Sequence, residues 1–193
     1  MRTKMLLCLG LVGACLATCG CELEKPETVG FLSDYSHLRP ETDTRSRYFP
    51  PGDRLANYSR FIVEPVALYL DDKTKAELGD DAELEGLARY MHETLVKTLE
   101  PRYPVTRVTP GPGTARLRVA LTHLKKDRFL TPGIVAIEAE LLDSQTGEQL
   151  MAIREIQRPR TRSGGLSEWD DAKRVMDDWA RRFYAELEEH RTR

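Results

Sequence analysis

The sequence predicts an α+β domain: an antiparallel or mixed sheet of about four to five strands, with two amphipathic helices packed on one face. Three observations carry this. Leu84, Leu87, Met91, Leu95 and Leu99 recur at helical spacing, as do Trp169, Ala172, Val175, Met176, Trp179, Phe183 and Leu187. Several segments alternate apolar and polar residues, the period of a half-buried strand. The order is strand, helix, several strands, helix, so two apolar stripes and one apolar sheet face must cover each other.

The elements follow in order. Residues 22 to 57 carry Pro26, Pro40, Pro50 and Pro51 among many charges and read as a tether, ordered in places. Within it, Gly30 to Tyr35 holds two aromatics and Leu32, which would pin the tether to the domain. Phe61 to Leu70 is the first strand, and Pro65 demotes it to an edge or marks a bulge, since proline donates nothing to a ladder. Asp80 and Glu83 have the spacing of a capping box at the start of the first helix, which Pro101 and Pro104 close.

Val105 to Val108 is a short strand, and Gly111-Pro112-Gly113 a turn. Arg116 to Leu124, Ile134 to Leu142 and Leu150 to Ile156 are strands, the last two joined by the turn residues Asp143 to Gly147. Ser167 and Asp170 begin the second helix. The resulting division is 1–20 signal peptide, 21–57 lipidated N-terminus and tether, and 58–193 a single domain.

The signal rests on Arg2 and Lys4, then a nearly uninterrupted apolar or small run from Met5 to Ala17, before polar sequence from Glu22. That run is shorter than the roughly 20 residues needed to span a bilayer core. All four cysteines, Cys8, Cys15, Cys19 and Cys21, lie in this region, so the domain can have neither internal disulfides nor a Cys-ligated zinc. The segment resembles a lipobox. Cys21 follows the small residue Gly20 and is the favoured site of lipidation, with Cys19 and Cys15 as alternatives. Cleavage before Cys21 removes Arg2 and Lys4 from the 29 basic residues, leaving 27 against 31 acids. Such a chain has no basic excess to hold nucleic acid or an anionic membrane.

Catalytic patterns are sparse. No serine stands in a Gly-x-Ser-x-Gly elbow, and no phosphate loop ends in Gly-Lys-Ser/Thr, so no cofactor is expected. His37, His92, His123 and His190 are scattered, and His123 reads as structural because it continues the parity of Leu117, Val119 and Leu121. Glu138 and Glu140 share one strand face and would serve an acid/base pair if buried in a pocket. The favoured reading is that they solvate the outer face beside Arg116 and Arg118. Arg158, Arg160 and Arg162, with Gly164 and Gly165 before the last helix, form a candidate anion-binding loop, since a helix N-terminus and arginines favour an anion. Trp169, Trp179 and Phe183 are core residues by their spacing.

Gly30-Phe31-Leu32-Ser33-Asp34-Tyr35-Ser36 after a lipobox resembles the start of a bacterial lipoprotein family known as domain of unknown function 3313. The resemblance continues through Val63-Glu64-Pro65-Val66, Pro110 to Gly113, Leu117 to Thr122, and Glu138 to Gly147, and ends with Trp169 and Trp179. Other members often carry a longer Gly-rich insertion where this chain has only Lys125 to Gly133. The resemblance implies an envelope location and no reaction.

The expectation is therefore a non-enzymatic lipoprotein, held by its lipid on the inner leaflet of the outer membrane and facing the periplasm. Its partner would be an envelope protein or peptidoglycan, and the domain would bind or help assemble envelope components. The alternatives are an envelope hydrolase using the Glu138 and Glu140 pair, and a small anionic-ligand binder using the arginine loop.

Overall fold

A computed structural model describes residues 28–106, 109–126, 133–158 and 169–191. In chain order these form β1 (Arg39–Thr42), β2 (Arg45–Tyr48), a 3-10 turn at Arg54–Asn57, β3 (Arg60–Val63) and β4 (Ala67–Leu68). There follow α1 (Asp72–Leu78), α2 (Asp81–Leu99), β5 (Val105–Thr106), β6 (Thr114–Lys125), β7 (Ile134–Asp143), β8 (Gln149–Gln157) and α3 (Asp170–Arg191).

The class is α+β with one mixed sheet, but it has eight strands rather than four to five, in the order β1-β2-β8-β7-β6-β3-β5 with β4 on β6. β6, β7 and β8 pair antiparallel, whereas β3 runs parallel to both β5 and β6. Two of the extra strands, β1 and β2, come from the stretch read as tether. Every residue of β1 is exposed, so no apolar alternation marks it. Its hairpin forms because the backbone of β2 finds partners along β8. The third extra strand arises because Glu64-Pro65-Val66 divides one apolar run into β3 and β4. Pro65 therefore lies beyond the end of β3, which sits inside the sheet between β6 and β5 and not at its edge. The true edges are blunted, β1 by Pro40 and an irregular register and β5 by having only two residues.

Both expected amphipathic helices form. The stripes of α2 and α3 pack with Leu117, Val119, Leu121, Ile137, Ala139, Leu141 and Ile153 into one core. Trp169, Trp179 and Phe183 belong to it. At the start of α2 the Asp80 carboxylate accepts from the amides of Ala82 at 2.9 Å and Glu83 at 3.2 Å. The Glu83 carboxylate accepts instead from Lys126 Nζ at 2.9 Å and Trp169 Nε1 at 3.1 Å. It thus ties α2 to the start of α3. The short helix α1 was not expected, because it buries only Thr74 and has no apolar stripe. Its caps account for it: Asp71 accepts from the Thr74 amide, and Gly79 closes the helix at φ 70°.

A bulge in β6 between Leu121 and His123 changes which side chains face the helices. Leu121 opposes Ile137, but His123 then opposes Ala136, so it leaves the Leu117-Val119-Leu121 row. Leu124 takes its place in the core, opposite Val135. Among the described residues, no helix is long and apolar enough to cross a membrane.

Candidate functional site

The opposite sheet face presents Ala120, Glu138 and Arg154 in one cross-strand row and Arg118, Glu140 and Ala152 in the next. Ala120 and Ala152 are small and fully buried, leaving a depression beside the two glutamates. Residues Val29 to Tyr35 lie across it as a strap. Phe31 and Leu32 pack on the two alanines, with Val29, Tyr35, Leu38 and Tyr48 around them. The sequence expectation that Gly30 to Tyr35 pins the tether holds.

Glu138 and Glu140 do not solvate an open face. Both are 0% exposed. A buried carboxylate needs several donors or opposite charge, and the strap supplies most of them. Glu138 accepts from the Val29 amide at 3.3 Å and the Tyr35 hydroxyl at 2.5 Å. Glu140 Oε2 accepts from the Ser33 amide at 2.9 Å, the Ser33 hydroxyl at 2.7 Å and Gln149 Nε2 at 2.9 Å. Its other oxygen pairs with Arg118, its neighbour across the strands. Arg118 also lies over the Phe31 ring, 4.7 Å from its centroid. At the strap's start, Arg154 donates to the Thr28 hydroxyl at 2.7 Å. Burial, and then the bond to Glu138, push the Tyr35 hydroxyl up to about 12.

The rest of the Glu138 to Gly147 stretch binds two further segments. The Asp143 carboxylate accepts from the amides of Gln145 and Thr146 and from the Tyr58 hydroxyl at 2.8 Å. The Thr146 amide bond is the largest effect holding its carboxyl below the usual range, and Tyr58 adds to it. Ser144 exchanges hydrogen bonds with the backbone of Gly111. Gly113 has φ 68°, and an added Cβ would stand 3.0 Å from the Asn57 carbonyl oxygen. One ten-residue stretch thus locks the strap, the 3-10 turn region and the Pro110 to Gly113 loop.

A family model described as Protein of unknown function (DUF3313) matches residues 27–129 and 126–183. The chain belongs to this family. The matched region begins at the strap and takes in the glutamates that hold it. A search of curated proteins found no match. Among solved structures, the chain is similar to the PelC dodecamer from Paraburkholderia phytofirmans at 16% identity and TM-score 0.47, covering 70% of this chain and 93% of that one. It is also similar to Lipoprotein GNA1162 from Neisseria meningitidis at 16% identity and TM-score 0.38, covering 65% and 96%. Likeness at this level says nothing about activity or partner.

Of the candidate anion-binding loop, only Arg158 is among the described residues; Arg160, Arg162, Gly164 and Gly165 lie outside them. Cys21, Cys19 and Cys15 lie outside them as well. Arg158 lines a cleft of about 570 Å³ at the end of the sheet, together with His123 and Val29. A second void, of about 30 Å³, lies between the sheet and the helices beside Trp179 and the ion cluster of Arg45, Glu155, Arg182 and Glu186. It has room for about a water or two and not for a substrate. Among the described residues no three His, Cys, Asp or Glu side chains form a metal-binding group.

Sequence reasoning missed the burial of Glu138 and Glu140. The available signal was in the neighbouring strands: Ala120 and Ala152 flank the acids in register and leave space that only another segment can fill. Strand pairing had to be known before that signal became visible.

Proposed function

We propose that this protein is a lipid-anchored envelope protein whose domain holds its own N-terminal strap and acts by contact, as a binding or assembly accessory, without catalysis. The observation that carries this reading is the locked strap. Buried carboxylates are the resource a hydrolase would use, and here they are engaged by the chain's own N-terminal segment. Neither lines the clefts beside the helices or at the sheet's end. Both carboxylates are fully buried under the strap, so no substrate proton comes within hydrogen-bond reach of either while the strap is in place.

Seven residue steps separate Cys21 from Thr28, where the strap is first held. If Cys21 carries the lipid, the domain sits at most about 25 Å from the headgroups, at roughly 3.5 Å per extended residue. Such an anchor suits a protein that works at the membrane surface, with the inner leaflet of the outer membrane as the proposed site. Its partner would be an envelope protein or peptidoglycan.

Mass spectrometry of the mature N-terminal peptide tests the anchor. A diacylglyceryl-modified Cys21 is the expected result, and the Cys21→Ser form should lack that modification. An unmodified N-terminus on the parent protein refutes the reading.

A further inference from the structure

We propose that the void between the sheet and the helices is a built hydration site, in which internal water joins Trp179 and Glu186 of α3 to Arg45 of β2.

The polar atoms around the void carry the inference. Trp179 is 4% exposed, and its indole Nε1 can only donate a hydrogen bond. Among the described residues that buried nitrogen has no acceptor. Arg45 Nε and Glu186 Oε2 are likewise buried without a hydrogen-bond partner among the described residues. Both side chains are otherwise firmly placed. Arg45 Nη2 donates to Glu186 Oε1 at 2.5 Å, and Arg45 Nε lies 3.3 Å from Glu155 Oε2 outside hydrogen-bond geometry. Trp179, Arg45 and Glu186 all line the same void. A buried polar atom keeps its full desolvation cost unless something in reach answers it.

Size, polarity and charge together select the occupant. The void measures about 30 Å³, room for about a water or two. Much of its wall is apolar, formed by Leu95, Val119, Ile137 and Phe183. A wholly apolar void would stay dry, whereas water settles where two to four polar partners meet. Here two donors and one acceptor meet, and a water molecule can accept from both nitrogens while donating to the carboxylate. Arg45 and Arg182 balance Glu155 and Glu186 in the lining, and Arg47 and Glu41 balance in the rest of the network. No net charge therefore draws an ion, and a neutral molecule fits. The site sits where the β1-β2 hairpin meets the C-terminal helix, so water completes a junction that ion pairs begin.

The test is water-selective NMR on the ¹⁵N-labelled full chain in detergent micelles. Trp179→Phe and Trp169→Phe assign the two indole signals. The Trp179 indole proton should show a cross-relaxation peak to water with the sign of a long-lived complex, distinct from the sign of chemical exchange. Trp169, whose indole donates to Glu83 at 3.1 Å, is the internal comparison. Glu186→Leu removes the acceptor and should abolish the Trp179 peak or weaken it several-fold; if that variant does not fold, the parent spectrum decides. A parent Trp179 signal with no long-lived water contact overturns the proposal. So does a crystal structure of the full chain that shows Trp179 Nε1 bonded directly to a protein oxygen, or an ion in the void. Ordered water within hydrogen-bond distance of Nε1 supports it.

Discussion

Replacing Glu140 with alanine removes the side chain on which the strap, β6 and β8 converge. Ser33 loses an acceptor for both its amide and its hydroxyl, Gln149 loses one, and Arg118 loses its buried partner. Breaking a buried ion pair from one side costs about 3–5 kcal/mol. Arg118 is 28% exposed and also lies near Glu64, so its stranded charge is partly relieved. That argues for the lower part of the range. The cost also has a ceiling, because the strap can lift away and rehydrate its donors. Lifting exposes Phe31 and Leu32, each contributing about 1.5–3 kcal/mol of burial. A loss near 3 kcal/mol is therefore expected, equivalent to about 6–12 °C in melting temperature for a domain of this size.

Thermal unfolding and amide hydrogen exchange together read the result. The amides of Val29 and Ser33 should lose protection before those of β7. Glu140→Gln keeps an acceptor and should cost about half as much. In a double-mutant cycle, Ser33→Ala should lower stability in the parent and have little effect in the Glu140→Ala background. A melting temperature within about 2 °C of the parent, with strap amides still protected, would show that these hydrogen bonds do not hold the strap.

Tyr35 should make the strap sensitive to alkali. Its hydroxyl titrates near 12 in the fold against 10.0 ordinarily, so the folded state keeps its proton longer than the unfolded state. The stabilisation is fully present below about pH 10 and is lost as pH rises through about 12. Tyr58 should contribute in the same direction, since burial and then its bond to Asp143 raise it to about 12. Tyr35→Phe should flatten the fall of stability with pH in urea titrations above pH 10; an unchanged slope would exclude Tyr35 as a source. Gly113→Ala should cost about 1–3 kcal/mol, from a left-handed backbone and a Cβ close to the Asn57 carbonyl. Urea unfolding measures it, and a neutral result would mean that the loop re-forms without that approach.

The elements visible in the sequence are those whose signal is local. The stripes of α2 and α3, the long strands β6 and β8, and the turn at Asp143 to Gly147 each declare themselves within one window, because burial on one face repeats with the period of the backbone. The aromatic and leucine residues of the strap also marked it as a docking segment. What stayed hidden depends on distant partners. β1 and β2 are strands because β8 offers them a backbone ladder, α1 is a helix because of its caps, and His123 changes rows because one residue bulges in β6.

Glu138 and Glu140 show the division most clearly. By themselves the residues determined that two carboxylates lie on one face of β7, two positions apart. Only the tertiary structure decided that this face is buried, because the covering segment begins more than one hundred residues earlier in the chain. Charge in a sequence predicts exposure only while nothing else in the chain supplies its hydrogen bonds. Here Ser33, Tyr35 and the Val29 amide supply them, and the same contacts tie the domain to its own N-terminal segment.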